Sequence, residues 1–245
     1  MSRSDEMEDP RRRWLIQALA AGLFASGLPK NALAESFFGS VPGRLPTGRS
    51  VYRVTGSATV NGEEVSEATI INPGDTLETG KDSELIFAVN GNHAMILRGD
   101  SRLEIEAEKK SADSWIINGL RLLTGKLLSV SRDSRMQIRT STAALGIRGT
   151  GFYIESDPEL TYFCTCYGLT DVAAIADPES RTTVESKHHD RPLYIVKDGG
   201  TGNNIRPAPF INHTDQELTL IEALVGRTTP FVFENDAYSS PRRDY

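Results

Sequence analysis

The chain has 245 residues, with 33 acidic and 27 basic side chains for a formal net charge of −6, and 38% of its residues are apolar. This acidic balance argues against nucleic-acid binding, which needs a basic face. The length is enough to bury a real core as one domain, or as one domain with an extension.

The first segment reads as an export signal. Arg11-Arg12-Arg13 precede an apolar stretch from Trp14 to Leu28, followed by Pro29, Lys30 and the small-x-small sequence Ala32-Leu33-Ala34. A basic start, a short apolar run and small residues at the end are the parts of a cleavable signal peptide. Gly22 and Gly27 break the run, which is short for a membrane span, so an uncleaved anchor is the weaker alternative. Arg11-Arg12-Arg13-Trp14-Leu15 also resembles a twin-arginine motif, with Trp14 where Phe is usual. Cleavage after Ala34 leaves a periplasmic or secreted chain with no transmembrane anchor. Residues 1–34 hold five basic and four acidic side chains, so the mature chain keeps 22 Lys and Arg against 29 Asp and Glu, a net charge of −7. Residues 35–50 read as a linker.

From residue 51 the pattern becomes that of short antiparallel strands. Asn61-Gly62, Asn90-Gly91 and Asn118-Gly119 each suit the positive φ angles of a type I′ hairpin turn. Asn72-Pro73-Gly74-Asp75 suits a type II turn, with Pro73 at the first central position and Gly74 at the second. Between the turns lie alternating apolar residues: Leu85, Phe87 and Val89, then Ala94-Met95-Ile96-Leu97, then Leu103 and Ile105. Hairpins at this spacing predict an all-β meander rather than βαβ units. His93 falls in the Asn92-His93 turn and reads as a turn residue. Gly149 and Gly151, in an otherwise strand-like run, point to a bulge or a close backbone approach. Arg148 could hold an anion, but an arginine in such a corner more often pairs with a carboxylate.

Pro73-Gly74-Asp75 with Thr79-Gly80, closing on Ile147-Arg148-Gly149-Thr150-Gly151-Phe152, resembles the FecR domain. That domain is the extracytoplasmic β-rich module of bacterial signalling regulators linked to iron uptake. The resemblance covers about residues 51–176. It implies an antiparallel, hairpin-rich β domain, sandwich or barrel-like, with Gly74, Asp75, Arg148, Gly149 and Thr150 as motif residues of structural role. It also implies a partner that is another envelope protein or a small ligand. Members of the family place a cytoplasmic sigma-factor-binding segment before a membrane helix. Here thirteen residues precede the apolar run, too few for a folded domain, so a stand-alone exported version is expected.

The two cysteines lie in Phe163-Cys164-Thr165-Cys166-Tyr167, within a strand-like run from Leu160 to Val172. On a strand, residues i and i+2 share a face, so the two sulfurs should lie side by side. A disulfide across that spacing would be strained. Two thiols on one face are half of a site for a soft or borderline metal such as zinc or copper. Three of the four histidines follow: His188 and His189 before Asp190, and His213 in Asn212-His213-Thr214-Asp215. They could complete a Cys₂His₂ set, with Asp190 or Asp215 orienting an imidazole. The spacing is not that of a zinc finger. The alternatives are two small buried hydrophobes or a disulfide, with the histidines as loop residues.

Residues 177–245 read as an extension. Residues 177–210 are rich in Pro and Gly and suggest a long loop with one strand at residues 193–196. A helix over residues 214–225 follows, with Thr214 and Glu217 as a capping box, Leu218, Ile221, Leu224 and Val225 as an apolar stripe, and Gly226 as the stop. Residues 234–245 read as a loose tail. No Gly-x-Ser-x-Gly, phosphate loop or metalloprotease motif is present, so no catalytic residue is assigned and a non-enzymatic role is expected. The expected role is an exported binding or sensing module of the cell envelope. A metal or redox protein built on the Cys-x-Cys and histidine cluster is the alternative, and a structural envelope component the third. Mass spectrometry of the exported protein should find Glu35 at its N-terminus. An intact chain in the membrane fraction would overturn the signal reading.

Overall fold

The computed structural model describes residues 41–111 and 114–231; the expected signal peptide and the tail at residues 234–245 lie outside them. Among the described residues the elements are β1 (Val51–Thr55), β2 (Ala58–Val60), β3 (Glu63–Glu64), β4 (Thr76–Thr79), β5 (Glu84–Val89), β6 (His93–Arg98), β7 (Arg102–Ser111), β8 (Ser114–Arg139), β9 (Ala143–Ser156), β10 (Leu160–Ala174), β11 (Arg181–Ser186), β12 (Leu193–Val196), β13 (Ile205–Pro207) and the helix α1 (Asp215–Leu224). All strand pairings are antiparallel. They form one thirteen-stranded sheet, not closed into a barrel, whose main path runs β13-β12-β10-β9-β8-β7-β4-β2-β3. The long strand β8 pairs with β7 through its first half, with β6 at residues 127–131, and with β9 through its second half. No helix among the described residues is long and apolar enough to cross a membrane.

The turn chemistry decides where strands end. Asn61 and Gly62 take φ of 53° and 86°, and Asn90 and Gly91 take 53° and 65°, as type I′ turns need. Gly74 takes φ of 99°, and the Asp75 amide donates to the Asn72 carbonyl at 3.2 Å. The Asp75 carboxylate accepts from the Asn72 amide at 2.7 Å and from the Asn61 side chain at 2.8 Å, tying two turns together. Asn118-Gly119 does not turn the chain. Glu106 pairs with Gly119 and Ala107 with Ile117, so Asn118 is an extra residue inside β8. The ladder with β7 continues through that point, and its hydrogen bonds outweigh a local turn preference.

The strands β5 and β6 are apolar on both faces because both are covered. Leu85, Phe87, Val89, Met95 and Leu97 face the larger core, while Ile86, Ala88, Ala94 and Ile96 face the second cluster, under Leu218, Ile221, Leu224 and Val225 of the C-terminal segment. Thr214 caps α1 by accepting from the Glu217 amide, and the Glu217 carboxylate accepts from the Thr214 amide at 2.9 Å. Gly226 follows with φ of 73°.

Two expectations besides the Asn118-Gly119 turn need correction. The stretch expected to be mostly loop carries β11 and β13 as well as β12. Apart from Val184, β11 is polar and alternately exposed, as an edge strand on β10 can be. His93 is not in the turn: it opens β6, pairs with Val89 and is buried. Burial, with Arg227 nearby, pushes its imidazole down to about 4, so it stays neutral.

Phe87 is fully buried at the centre of the larger core. Phe87→Ala should cost about 3–5 kcal/mol, read as a lowered midpoint in denaturant melts, and an unchanged midpoint would contradict this register.

Candidate metal centre

The centre begins with an irregularity in β10. Thr165 pairs with Phe152 and Tyr167 with Gly151, so Cys166 is an extra residue with no partner across the ladder. Cys164 and Cys166 share the helix-covered face of the sheet as residues i and i+2, and the bulge adds Tyr167 to their cluster. Two glycines make room for it. A Cβ at Gly151 would lie 2.4 Å from the Tyr167 ring, and one at Gly168, where φ is 96°, would lie 2.8 Å from the Gly149 carbonyl. The Gly-x-Gly of the motif is thus a close backbone approach. Arg148 forms a 2.5 Å ion pair with Asp171 at the surface, and Thr150 is buried in β9.

A tight turn after β11 delivers His189. The Asp190 carboxylate accepts from the Lys187 amide at 2.6 Å and the His188 amide at 3.3 Å, closing the turn. His189 takes φ of 54°, and its amide donates to the Cys166 carbonyl at 2.9 Å. Asp190 therefore shapes the backbone and does not orient an imidazole.

The C-terminal segment delivers His213 and Asp215. Arg98 reaches from β6 to the Glu217 carboxylate at 3.0 and 3.1 Å, to the Tyr153 hydroxyl at 3.3 Å and to the Asn212 carbonyl. Glu155 accepts from Tyr153 at 2.6 Å and from the Asn212 side chain at 2.7 Å. The Tyr153 ring stacks on His213 at 4.5 Å, and Phe210 packs at 4.4 Å from His189 and 4.5 Å from His213. Apart from the Tyr153–Glu155 bond, the partners of Arg98, Tyr153 and Glu155 named here lie 55 to 119 residues away, so their grouping carries no local sequence signal.

One ligand atom from each of Cys164, Cys166, His189 and His213 lies within 4.8 Å of the others, and all four residues are buried. His188 stands outside this set. His213 Nδ1 lies 2.7 Å from the Ile211 carbonyl, which can only accept, so that nitrogen carries the proton. His189 Nε2 lies 2.9 Å from the Asp215 carboxylate and donates to it. The remaining nitrogens, His189 Nδ1 and His213 Nε2, face each other at 3.1 Å, with the Cys164 sulfur 3.4 Å from His189 Nδ1. Two neutral imidazoles would thus bury lone pair against lone pair. A positive charge between them would relieve that repulsion.

The electrostatics agree. Burial pushes the Cys164 thiol up, but bonds to Cys166, His189 and His213 outweigh it and hold the group well below the ordinary thiol range. Burial and the neighbouring Cys164 push Cys166 up. Burial would lower His189, yet the bonds to Asp215 and Cys164 raise its imidazolium to about 9. Burial lowers His213. These directions favour a positive charge on His189 beside a negative one on Cys164. Cys164, His189 and Asp215 stand in the order of nucleophile, base and orienting carboxylate. Cys164 is fully buried, and the surface clefts beside Arg139 and Arg53 are lined by none of the three. Both cysteines are free thiols.

Residues 75–165 match the protein family described as FecR protein. No curated protein matches the chain. Two crystal structures of a candidate anti-sigma factor from Parabacteroides distasonis are similar to it, with TM-scores of 0.43 and 0.44 at 15% and 16% identity. Each alignment covers 59% of this chain, which spans 62% of the length of those proteins.

Gly151→Ala should destabilise the fold by about 1–3 kcal/mol, because the new methyl displaces the buried Tyr167 ring. A melting temperature equal to that of the unsubstituted protein would contradict this packing.

Proposed function

We propose that this chain, whose residues 75–165 match the FecR family, works as an exported sensing module of the cell envelope whose ligand is a divalent metal ion of zinc type. Cys164, Cys166, His189 and His213 hold the ion. One observation carries this reading: two imidazole lone pairs, fixed by the acceptors behind them, meet each other and two sulfurs in a buried space.

Two of the six edges of the site are close to those of a tetrahedral ion, and all four ligand atoms lie within 4.8 Å of one another. Zinc bonds of about 2.0–2.1 Å to nitrogen and about 2.3 Å to sulfur imply edges of about 3.3 Å between nitrogens and about 3.6 Å between nitrogen and sulfur. The corresponding separations here are 3.1 and 3.4 Å. Charge favours a divalent ion, since two thiolates balance it and leave a neutral group among Tyr153, Phe210 and Tyr162. A monovalent copper ion would leave a net negative charge buried there, at a cost in solvation. Asp215 and the Ile211 carbonyl orient the two imidazoles, as the outer ligands of metal sites do. Four protein ligands leave no open position for substrate, which favours binding over catalysis. Binding displaces protons from the ligands, so affinity falls as pH falls.

The same four residues come from β10, from the turn after β11 and from the segment entering α1. The ion therefore joins the sheet to the helix covering it, and its presence reaches the surface of the domain through that joint. This supports sensing, the role the FecR family suggests.

Chelator-stripped protein given zinc should take up a single ion per chain, and cobalt(II) should give the absorption of a tetrahedral thiolate site. Cys164→Ser should abolish stoichiometric uptake. Asp215→Asn should weaken binding on the order of 10–100-fold. Folded protein that takes up neither metal would overturn the reading.

A further inference from the structure

The four ligands are closed off from solvent, which raises the question of how an ion reaches them. Cys164, Cys166 and His213 are fully buried and His189 is 9% exposed. An ion entering such a space directly would shed its water before it gained protein ligands, and a bare ion in a low-dielectric interior is very costly.

A second set of donors stands beside the first. His188 Nε2 lies 2.8 Å from one oxygen of Asp215, and His189 Nε2 lies 2.9 Å from the other. One ligand atom from each of the three groups lies within 4.8 Å of the others. The His188 side chain is 37% exposed, while Asp215 is fully buried, so the set runs from the surface inward. His189 belongs to both sets, with Nε2 on the outer side and Nδ1 on the inner. Asp215 has one oxygen on each histidine.

We infer that His188, Asp215 and His189 form a loading station, at which a divalent ion exchanges water for two imidazoles and a carboxylate before it passes to the sulfurs. The inference rests on the metal reading above. The ion binds first at His188 Nε2, Asp215 and His189 Nε2, displacing to solvent the proton shared by His188 and Asp215 and the one on His189 Nε2, while His189 keeps a ring proton on Nδ1. It then passes inward: His189 Nδ1 and the Cys166 thiol give up their protons, and Cys164, Cys166, His213 Nε2 and His189 Nδ1 replace the outer donors. His189 Nε2 takes a proton back as the ion leaves it. Only N–H and S–H protons are exchanged, and no electron is transferred. Asp215 then returns to His189, where it holds the ring that carries the inner ion. Release follows the same route in reverse.

The test is stopped-flow loading of the stripped full-length mature protein with cobalt(II), whose thiolate absorption reports arrival at the two sulfurs. His188→Ala should slow the appearance of that band on the order of tenfold or more, and slow removal by a chelator by the same factor, while the final band intensity stays unchanged. His188→Gln separates ligation from mere positioning, because glutamine still donates to Asp215 but is a poor ligand for this ion. It should load as slowly as the alanine variant. Loading of either variant at the unsubstituted rate overturns the inference and leaves the metal site standing. Loss of the final band in both folded variants also overturns it, making His188 part of the inner site. Absence of the band in the unsubstituted protein removes both readings.

Discussion

Everything at the centre of this protein follows from the rule that two lone pairs are not buried face to face. His213 is committed through Nδ1 to a carbonyl and His189 through Nε2 to a carboxylate. Neither ring can turn without abandoning a buried acceptor, and an unsatisfied buried acceptor costs about 1–3 kcal/mol. The opposed nitrogens and the neighbouring sulfur therefore form a site that favours a positive charge. A proton meets the need, and in the proposed reading a divalent ion with two thiolates would meet it without leaving net charge behind.

The surrounding fold is arranged to keep those rings where they are. The bulge at Cys166 brings the Tyr167 ring to the face the two sulfurs share, and Gly151 gives that ring its place. Asp190 closes the turn that carries His189. The Arg98 guanidinium fastens the start of α1 through Glu217 and Asn212, so the segment carrying His213 is held at both backbone and side chain. Further along α1, the buried Glu222 accepts from Tyr167 and from Arg227, with the latter at 2.7 Å. The helix is thus joined to the sheet by charged and hydroxyl groups at two places, with apolar packing between them. A group that must be both buried and ionised needs such partners, and each one narrows the set of ways the helix can dock.

The FecR motif residues serve the scaffold rather than the ligand set. Gly74 and Asp75 build turns, Arg148 pairs with Asp171, and the glycines flanking Thr150 admit β10 and its bulge. The four proposed ligands lie mostly beyond them: Cys166, His189 and His213 fall outside the matched residues 75–165, and Cys164 sits at their edge. A site can lie outside the residues that carry a family resemblance, because fold and function separate easily.

What the sequence determined by itself were the features set within a few residues. Asn61-Gly62, Asn90-Gly91 and Pro73-Gly74 dictate turns through the φ angles they permit, and Thr214 with Glu217 dictates the start of α1 through a local exchange of hydrogen bonds. The strand at Leu193–Val196 was legible from its own apolar run, and the shared face of Cys164 and Cys166 from strand periodicity. Asn118-Gly119 misled because a ladder formed elsewhere overrode a local preference, and β11 was hidden because an edge strand needs few apolar residues. Histidines near cysteines in composition could be noted, but not placed. His189 meets Cys164 across 25 residues and His213 across 24, and the choice of Asp215 over Asp190 spans 26. Such contacts depend on sheet register, on one bulge and on how the helix docks. These are settled by the packing of the whole domain, so only the tertiary structure could decide them.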